Sequence, residues 1–241
     1  MYTTYNYSPN FEFKKRKPNQ IKFIIFHYTG MKRESEAIKR LTNIKSKVSS
    51  HYLIKNNGEI VVMVPDLYEA WHAGISYWKN FKSLNKSSIG IEISNPGHNL
   101  NYKKFSKKQI KSLKDLSKFL IRKYKIDKKN ILGHSDIAPL RKLDPGEKFP
   151  WKRLSKYKLG NWYEGRGKKL KFTDYKKIES LFFNNLFKIG YRYFIVTKRT
   201  KNDRLVIKSF QQHYLPHKVS GKIDQKTLEI SHFLSNQLKL T

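Results

Sequence analysis

Apolar residues fall into three kinds of run along this chain. The first is nearly continuous: Ile21 to Phe26 in IKFIIFHYTG reads as a buried strand, with His27 at its C-terminal end. The second alternates, so that in IGIEISNPG one face of a short strand carries Gly90, Glu92 and Ser94 while the other carries Ile89, Ile91 and Ile93. A carboxylate so placed is either solvent-facing or aimed into a cleft. The third run has helical spacing. Ala37, Ile38 and Leu41 predict a helix near Glu34 to Ile44, and Ile110, Leu113, Leu116, Phe119 and Leu120 predict a longer one starting at Ser106 and ending near Tyr124. HYLIKNNGEIVVMV reads as a hairpin turned at Asn56, Asn57 and Gly58, and Asn130 to Leu132 as a short strand that delivers His134. This order of elements predicts an α/β domain, a central mixed β-sheet flanked by helices.

The pattern changes after the junction GNWYEGRGKK. Thr173 can cap a helix through Phe187 closed by Gly190, a second helix runs near Asp203 to Tyr214, and a third starts near Asp224. Three amphipathic helices suffice for a small C-terminal three-helix domain. The predicted organisation is a leader over 1–20, a main domain over 21–160, a linker over 161–171 and the helical domain over 172–241.

The densest candidate chemistry lies in GHSDIAPLRKLDPG, residues 133 to 146. Pro139 and Pro145 exclude a continuous helix between His134 and Asp144, so a looped path joins them. Histidine nitrogen and aspartate oxygen are ordinary zinc ligands, and a catalytic zinc takes three protein ligands with a position left for water. His27, at a strand end, is a candidate for the third. Each residue alone has a plainer reading: a structural histidine, a turn aspartate before Pro145, a solvated Lys142, an exposed Glu92. The argument rests on the set.

Five segments in order resemble a known family: FHYTG at 26–30, SSHYLI at 49–54, AWHAG at 70–74, SIGIEISNPG at 88–97 and GHSDIAPLRKLDPG at 133–146. The chain resembles the zinc-dependent N-acetylmuramoyl-L-alanine amidases of the type-2 amidase group, relatives of the peptidoglycan recognition proteins, over roughly Ile21 to Trp151. The resemblance implies that His27, His134 and Asp144 hold one Zn²⁺, that Glu92 is the catalytic carboxylate and that Lys142 is the second catalytic residue. His51, Trp71, His72 and Asn95 stand as candidate substrate contacts, with packing as the alternative. The implied substrate is peptidoglycan or a muropeptide fragment, cut between N-acetylmuramic acid and L-alanine. Zinc suits an amide, whose carbon is a poor electrophile, because it acidifies water and polarises the carbonyl. LFKIGY, IKSFQQHYLP and SGKIDQKTLEI further resemble the peptidoglycan-binding domain of many wall hydrolases. A structural helical extension is the alternative there.

Composition changes the picture little. The chain lacks cysteine, which removes disulfides and thiolate metal sites, and no stretch is long and apolar enough for a membrane span. No secretory signal is visible in MYTTYNYSPNFEFKKRK, so a cytoplasmic location is expected, with an envelope location left open. The formal charge of +33, from 51 basic and 18 acidic residues, is spread through nearly every segment. It fits a general lysine bias, with attraction to anionic wall polymer as a second contribution. No nucleic-acid motif accompanies it, so no specific nucleic-acid partner is expected. Two other function classes remain: a non-catalytic wall-binding protein of the same fold, and a basic nucleic-acid binder. The full candidate ligand set argues for the enzyme. Oligomeric state, and preference between intact wall and soluble anhydro-muropeptides, are not legible.

Overall fold

Six strands form one mixed sheet in the computed structural model, which describes residues 2–163 and 175–237. In chain order the strands and helices begin with β1 (Thr3–Tyr5), β2 (Phe11–Glu12), β3 (Phe23–Tyr28) and α1 (Glu34–Thr42). The hairpin strands β4 (Tyr52–Ile54) and β5 (Ile60–Val62) follow, then the short β6 (Glu69–Ala70), β7 (Tyr77–Trp78) and β8 (Phe81–Lys82), and then β9 (Ser88–Ile93). Helix α2 (Lys107–Tyr124), β10 (Ile131–Gly133), the short α3 (His134–Ile137) and α4 (Trp151–Ser155) lead to α5 (Tyr175–Ile189), α6 (Asp203–Tyr214) and α7 (Gln225–Asn236). The sheet order is β1-β5-β4-β9-β3-β10, with only the β4–β5 hairpin pair antiparallel.

β3 is apolar throughout because both faces of the sheet are covered. Ile24 and Phe26 point to one side, where Ile89, Ile91 and Ile93 meet Ile110, Leu113, Leu116 and Leu120 of α2. Phe23 and Ile25 point to the other, into a core shared with Leu132, Phe182, Leu186 and Phe210. The C-terminal helices therefore close the second face of the sheet. Thr173, expected to cap α5, and most of the expected linker lie outside the described residues.

Local chemistry explains the element ends. Ser106 Oγ accepts from Gln109 N at 3.1 Å and Gln109 Oε1 accepts from Ser106 N at 2.9 Å, a capping box that starts α2. Lys125 ends it in a left-handed conformation, φ 54°. α1 stops at Thr42, short of Ile44, because Asn43 turns the chain by accepting from Lys45 N. Phe119 departs from the expected buried stripe and is 40 % exposed at its margin, its ring lying under the Lys123 ammonium. The segment before Ile21, read as a leader, carries an edge strand: Thr3 to Tyr5 pair parallel to Ile60 to Val62. Arg16 in the same segment is buried and donates to the carbonyls of Asn85, Ser88 and Asp66.

A consequence of the shared core can be measured. Removing everything after Tyr163 strips the cover from Phe23, Ile25, Leu132 and Ile137, all at most 2 % exposed. Such burial is worth about 1.5–3 kcal/mol per large side chain, so the shortened chain is expected to aggregate or to lose its cooperative melt. A soluble, monomeric 1–163 fragment melting as sharply as the full chain would show that these helices are dispensable to the sheet.

Candidate metal centre and cleft

Strand register brings the candidate residues to one level. In the β3–β9 pair His27 lies opposite Glu92, and in the β3–β10 pair Gly133 lies opposite Phe26, so His134 emerges beside His27. Three adjacent parallel strands thus deliver His134, His27 and Glu92 at their C-terminal ends, where open α/β sheets build their sites. The looped path from His134 opens with the four residues of α3 and is closed by Ser135 N donating to Asp144 O at 2.8 Å. That bond returns Asp144 to the strand end. Gly133 permits the approach, since a Cβ there would sit 2.6 Å from Pro145 Cδ.

His27 Nδ1, His134 Nδ1 and Asp144 Oδ2 form a triangle with edges of 2.9, 3.0 and 3.0 Å, and all three residues are buried. Two imidazole nitrogens and one carboxylate oxygen are a donor set compatible with a metal site. Tetrahedral bonds of 2.0–2.1 Å imply ligand separations of about 3.3 Å. The triangle accepts such an ion if each atom moves outward by a few tenths of an ångström.

Electrostatics follow from this burial. Burial lowers the His27 imidazole to about 4, and His134 adds to the effect. Burial alone would raise the Asp144 carboxyl, but His134 and His27 beside it hold it well below the usual carboxylate range. Glu92 moves the opposite way: burial raises it to about 8, with Asp144 adding and Lys142 opposing. Its Oε2 is shielded and has no hydrogen-bond partner among the described residues.

These groups open on a cleft of about 490 Å³. Trp71, His72 and Lys142 line it together with His27, Glu92, His134 and Asp144. His51 and Asn95, two of the expected substrate contacts, do not. The His51 ring is inside the fold, its Nδ1 accepting from Gly90 N at 3.0 Å and its Nε2 facing Tyr68 O at 3.0 Å. Asn95 spends its amide on Lys103 O and its oxygen on Gly97 N, shaping the loop after β9. Arg40, Asn99 and Arg141 line the cleft without having been singled out in the sequence. Arg141 was legible as the neighbour of Lys142 in the ligand loop; Arg40 has no comparable signal, being one cation among many.

Comparison with known proteins identifies the family. The sequence pattern of the family described as N-acetylmuramoyl-L-alanine amidase matches residues 17–147, more than half of the chain. The chain belongs to this family. It is 34 % identical over 230 residues to the N-acetylmuramoyl-L-alanine amidase AmiD of Escherichia coli, covering 89 % of this chain and 82 % of AmiD. The 1,6-anhydro-N-acetylmuramyl-L-alanine amidase AmpD of Haemophilus influenzae is 32 % identical over 164 residues, 61 % of this chain and 86 % of AmpD. The structure of AmiD in complex with anhydro-N-acetylmuramic acid-L-Ala-D-γ-Glu-L-Lys superposes with a TM-score of 0.78, covering 90 % of each chain. AmpDh3 of Pseudomonas aeruginosa, 28 % identical, superposes with a TM-score of 0.79 over 95 % of this chain and 96 % of its own. Both of these neighbours extend over most of this amidase. Among the described residues no helix is long and apolar enough to cross a membrane.

Proposed function

We propose that this amidase hydrolyses the amide between N-acetylmuramic acid and L-alanine, that His27, His134 and Asp144 hold one Zn²⁺, and that its preferred substrate is a soluble anhydro-muropeptide. The convergence of three buried ligand atoms beside a carboxylate whose Oε2 is shielded and, among the described residues, without a hydrogen-bond partner carries the reading. AmiD and AmpDh3 have been described with anhydromuramic peptides bound, which supports the substrate class. Arg40, Arg141 and Lys142 give the cleft a cationic rim suited to a peptide bearing free carboxylates.

A bound zinc ion supplies Lewis acidity, polarising the scissile carbonyl and making water a better nucleophile near neutral pH. Glu92 takes a proton from the attacking water as the new C–O bond forms, and delivers it to the L-alanine nitrogen as the C–N bond breaks. Burial holds this carboxyl above its usual range and a bound cation would draw it back toward the ionised form, so that it can both accept the proton and return it. Lys142 lies on the cleft wall two residues before Asp144, and its ammonium faces the negative charge that develops on the carbonyl oxygen. Trp71 offers a flat wall for the sugar or peptide, its Nε1 donating to Glu12 Oε1 at 3.2 Å.

Purified protein incubated with intact sacculi and with soluble anhydro-muropeptides, with and without chelator, is the direct test. Mass spectrometry is expected to detect free stem peptide, faster from the soluble substrate, with release stopped by chelator and restored by zinc. Binding of one zinc per chain without release from either substrate would sink the catalytic reading. Release untouched by exhaustive chelation would sink the metal.

A further inference from the structure

Proton positions around the two histidines can be assigned from groups that have no choice. A backbone carbonyl only accepts, and a hydroxyl carries one hydrogen. Ser88 Oγ lies 2.5 Å from Leu84 O, so its hydrogen is committed there. Ser88 Oγ must then accept from His72 Nε2, 3.1 Å away. That puts the His72 proton on Nε2 and leaves a lone pair on its Nδ1, which lies 3.0 Å from His27 Nε2. His27 donates to it, and its own Nδ1 lone pair faces the centre. His134 is fixed in one step: its Nε2 faces Ala73 O at 3.1 Å, which directs the proton there and leaves Nδ1 free. Arg141 Nη2 donates to the same oxygen at 2.5 Å, so both lone pairs of Ala73 O are used.

Both chains end on consecutive residues. His72 orients His27, and Ala73 orients His134. The segment that does this is itself clipped from one point: Asn85 Oδ1 accepts from His72 N at 3.1 Å and from Ala73 N at 2.6 Å. Asn85 sits in the turn Leu84–Ser87, which also supplies the terminal acceptor Leu84 O and leads directly into β9. Gly90 on β9 makes room for the arrangement, because a Cβ there would lie 2.4 Å from His72 Cγ. Leu84, His72, Ser88, His27 and His134 are all buried, so water does not compete for these bonds.

We propose that His72 and Asn85 are positioning residues, which through Ser88, Leu84 and Ala73 lock both His27 and His134 as the Nε2–H tautomer and so present two Nδ1 lone pairs to one metal ion. The inference rests on the metal reading of His27, His134 and Asp144 and adds a cause for it. It also gives His72 a task other than substrate contact, although the ring borders the cleft.

The test measures zinc affinity of the full chain by competition with a chromophoric chelator, for the parent protein, H72L, H72N and N85L. Leucine removes the acceptor for His27, whereas the asparagine oxygen can stand where His72 Nδ1 stands. H72L and N85L are expected to bind zinc about 10–100-fold more weakly, as for other groups that orient metal ligands, and H72N to recover most of the loss. A general packing defect would not be rescued by asparagine. H72L binding as tightly as the parent, or H72N binding no better than H72L, overturns the proposal. A parent chain that binds no zinc overturns the metal reading itself, and is a different result. An independent measurement needs no variant: two-bond ¹⁵N–¹H correlation of the zinc-loaded parent is expected to place the His27 and His134 protons on Nε2. Either proton on Nδ1 overturns the proposal even if the variants do not fold.

Discussion

Glu92→Gln is expected to lower kcat by about 10²–10⁴-fold and, in the metal-free protein, to raise thermal stability at alkaline pH. The two effects share one cause. Burial raises the Glu92 carboxyl from 4.5 to about 8, so the folded protein binds a proton there that the unfolded chain has already lost. Between those values the native state holds more protons than the unfolded state, and stability falls as pH rises. Glutamine keeps the shape and carries no such penalty. The difference in Tm between variant and parent is therefore expected to be small below pH 4.5, to open between 4.5 and 8, and to stay level above. The metal is removed for this series because its positive charge would favour the ionised carboxylate and oppose the shift. A difference that stays constant from acid to alkaline pH would show that Glu92 is not held in a protonating environment. Undiminished turnover would remove it from the reaction. A residue that destabilises the fold where it is placed for chemistry is the kind of conflict expected at an active site.

Alternation was enough to put the Glu92 carboxylate on the face opposite three isoleucines, but not to choose between solvent and a cleft; the set of matching motifs made it a site candidate. His27 was legible as the end of a continuous apolar strand, and the Ser106 capping box marked the start of α2. These features are local, and local pattern is what a single chain exposes. The register that puts Glu92 opposite His27 is not local, and neither is the bond from Ser135 N to Asp144 O that closes the ligand loop. The first segment shows the same limit. Thr3 to Tyr5 carry no strong strand signal, and they are ordered by an edge supplied 57 residues later, as the pairing of Thr3 with Ile60 records. His51 and Asn95 sit in matching motifs, yet their polar atoms are consumed by backbone partners, distant in sequence for His51 and within its own loop for Asn95. Asn85 is the extreme case. Nothing around KSLNKSS distinguishes it, and its importance lies in two amide hydrogens 12 and 13 residues upstream.

Asp144→Asn is expected to abolish both zinc binding and the stabilisation that zinc confers. The substitution keeps the side-chain volume, and an amide oxygen can occupy the position of Oδ2, so the fold has little steric reason to change. What it removes is charge. Asp144 is the one carboxylate in the proposed ligand set, whose other members are imidazoles, and burial leaves no solvent to replace it. Because a ligand that binds only the native state stabilises it, zinc at a thousand times its Kd is expected to add about 4 kcal/mol to the parent protein. For a chain of this size that corresponds to a rise in Tm of roughly 8–16 °C. The variant is expected to show no rise at the same concentration and no release of stem peptide. The metal-free proteins separate the metal contribution from the intrinsic one. His134 and His27 hold the Asp144 carboxyl below its usual range, so the parent gains stability from this group above its unfolded pKa near 3.8 and loses it progressively as pH falls below that value. Without metal, the parent is therefore expected to exceed the variant in Tm at neutral pH and to converge on it in acid. If D144N still gains the full zinc-dependent rise, the metal is bound elsewhere in the chain, and the triangle of His27, His134 and Asp144 is a hydrogen-bonded cluster only.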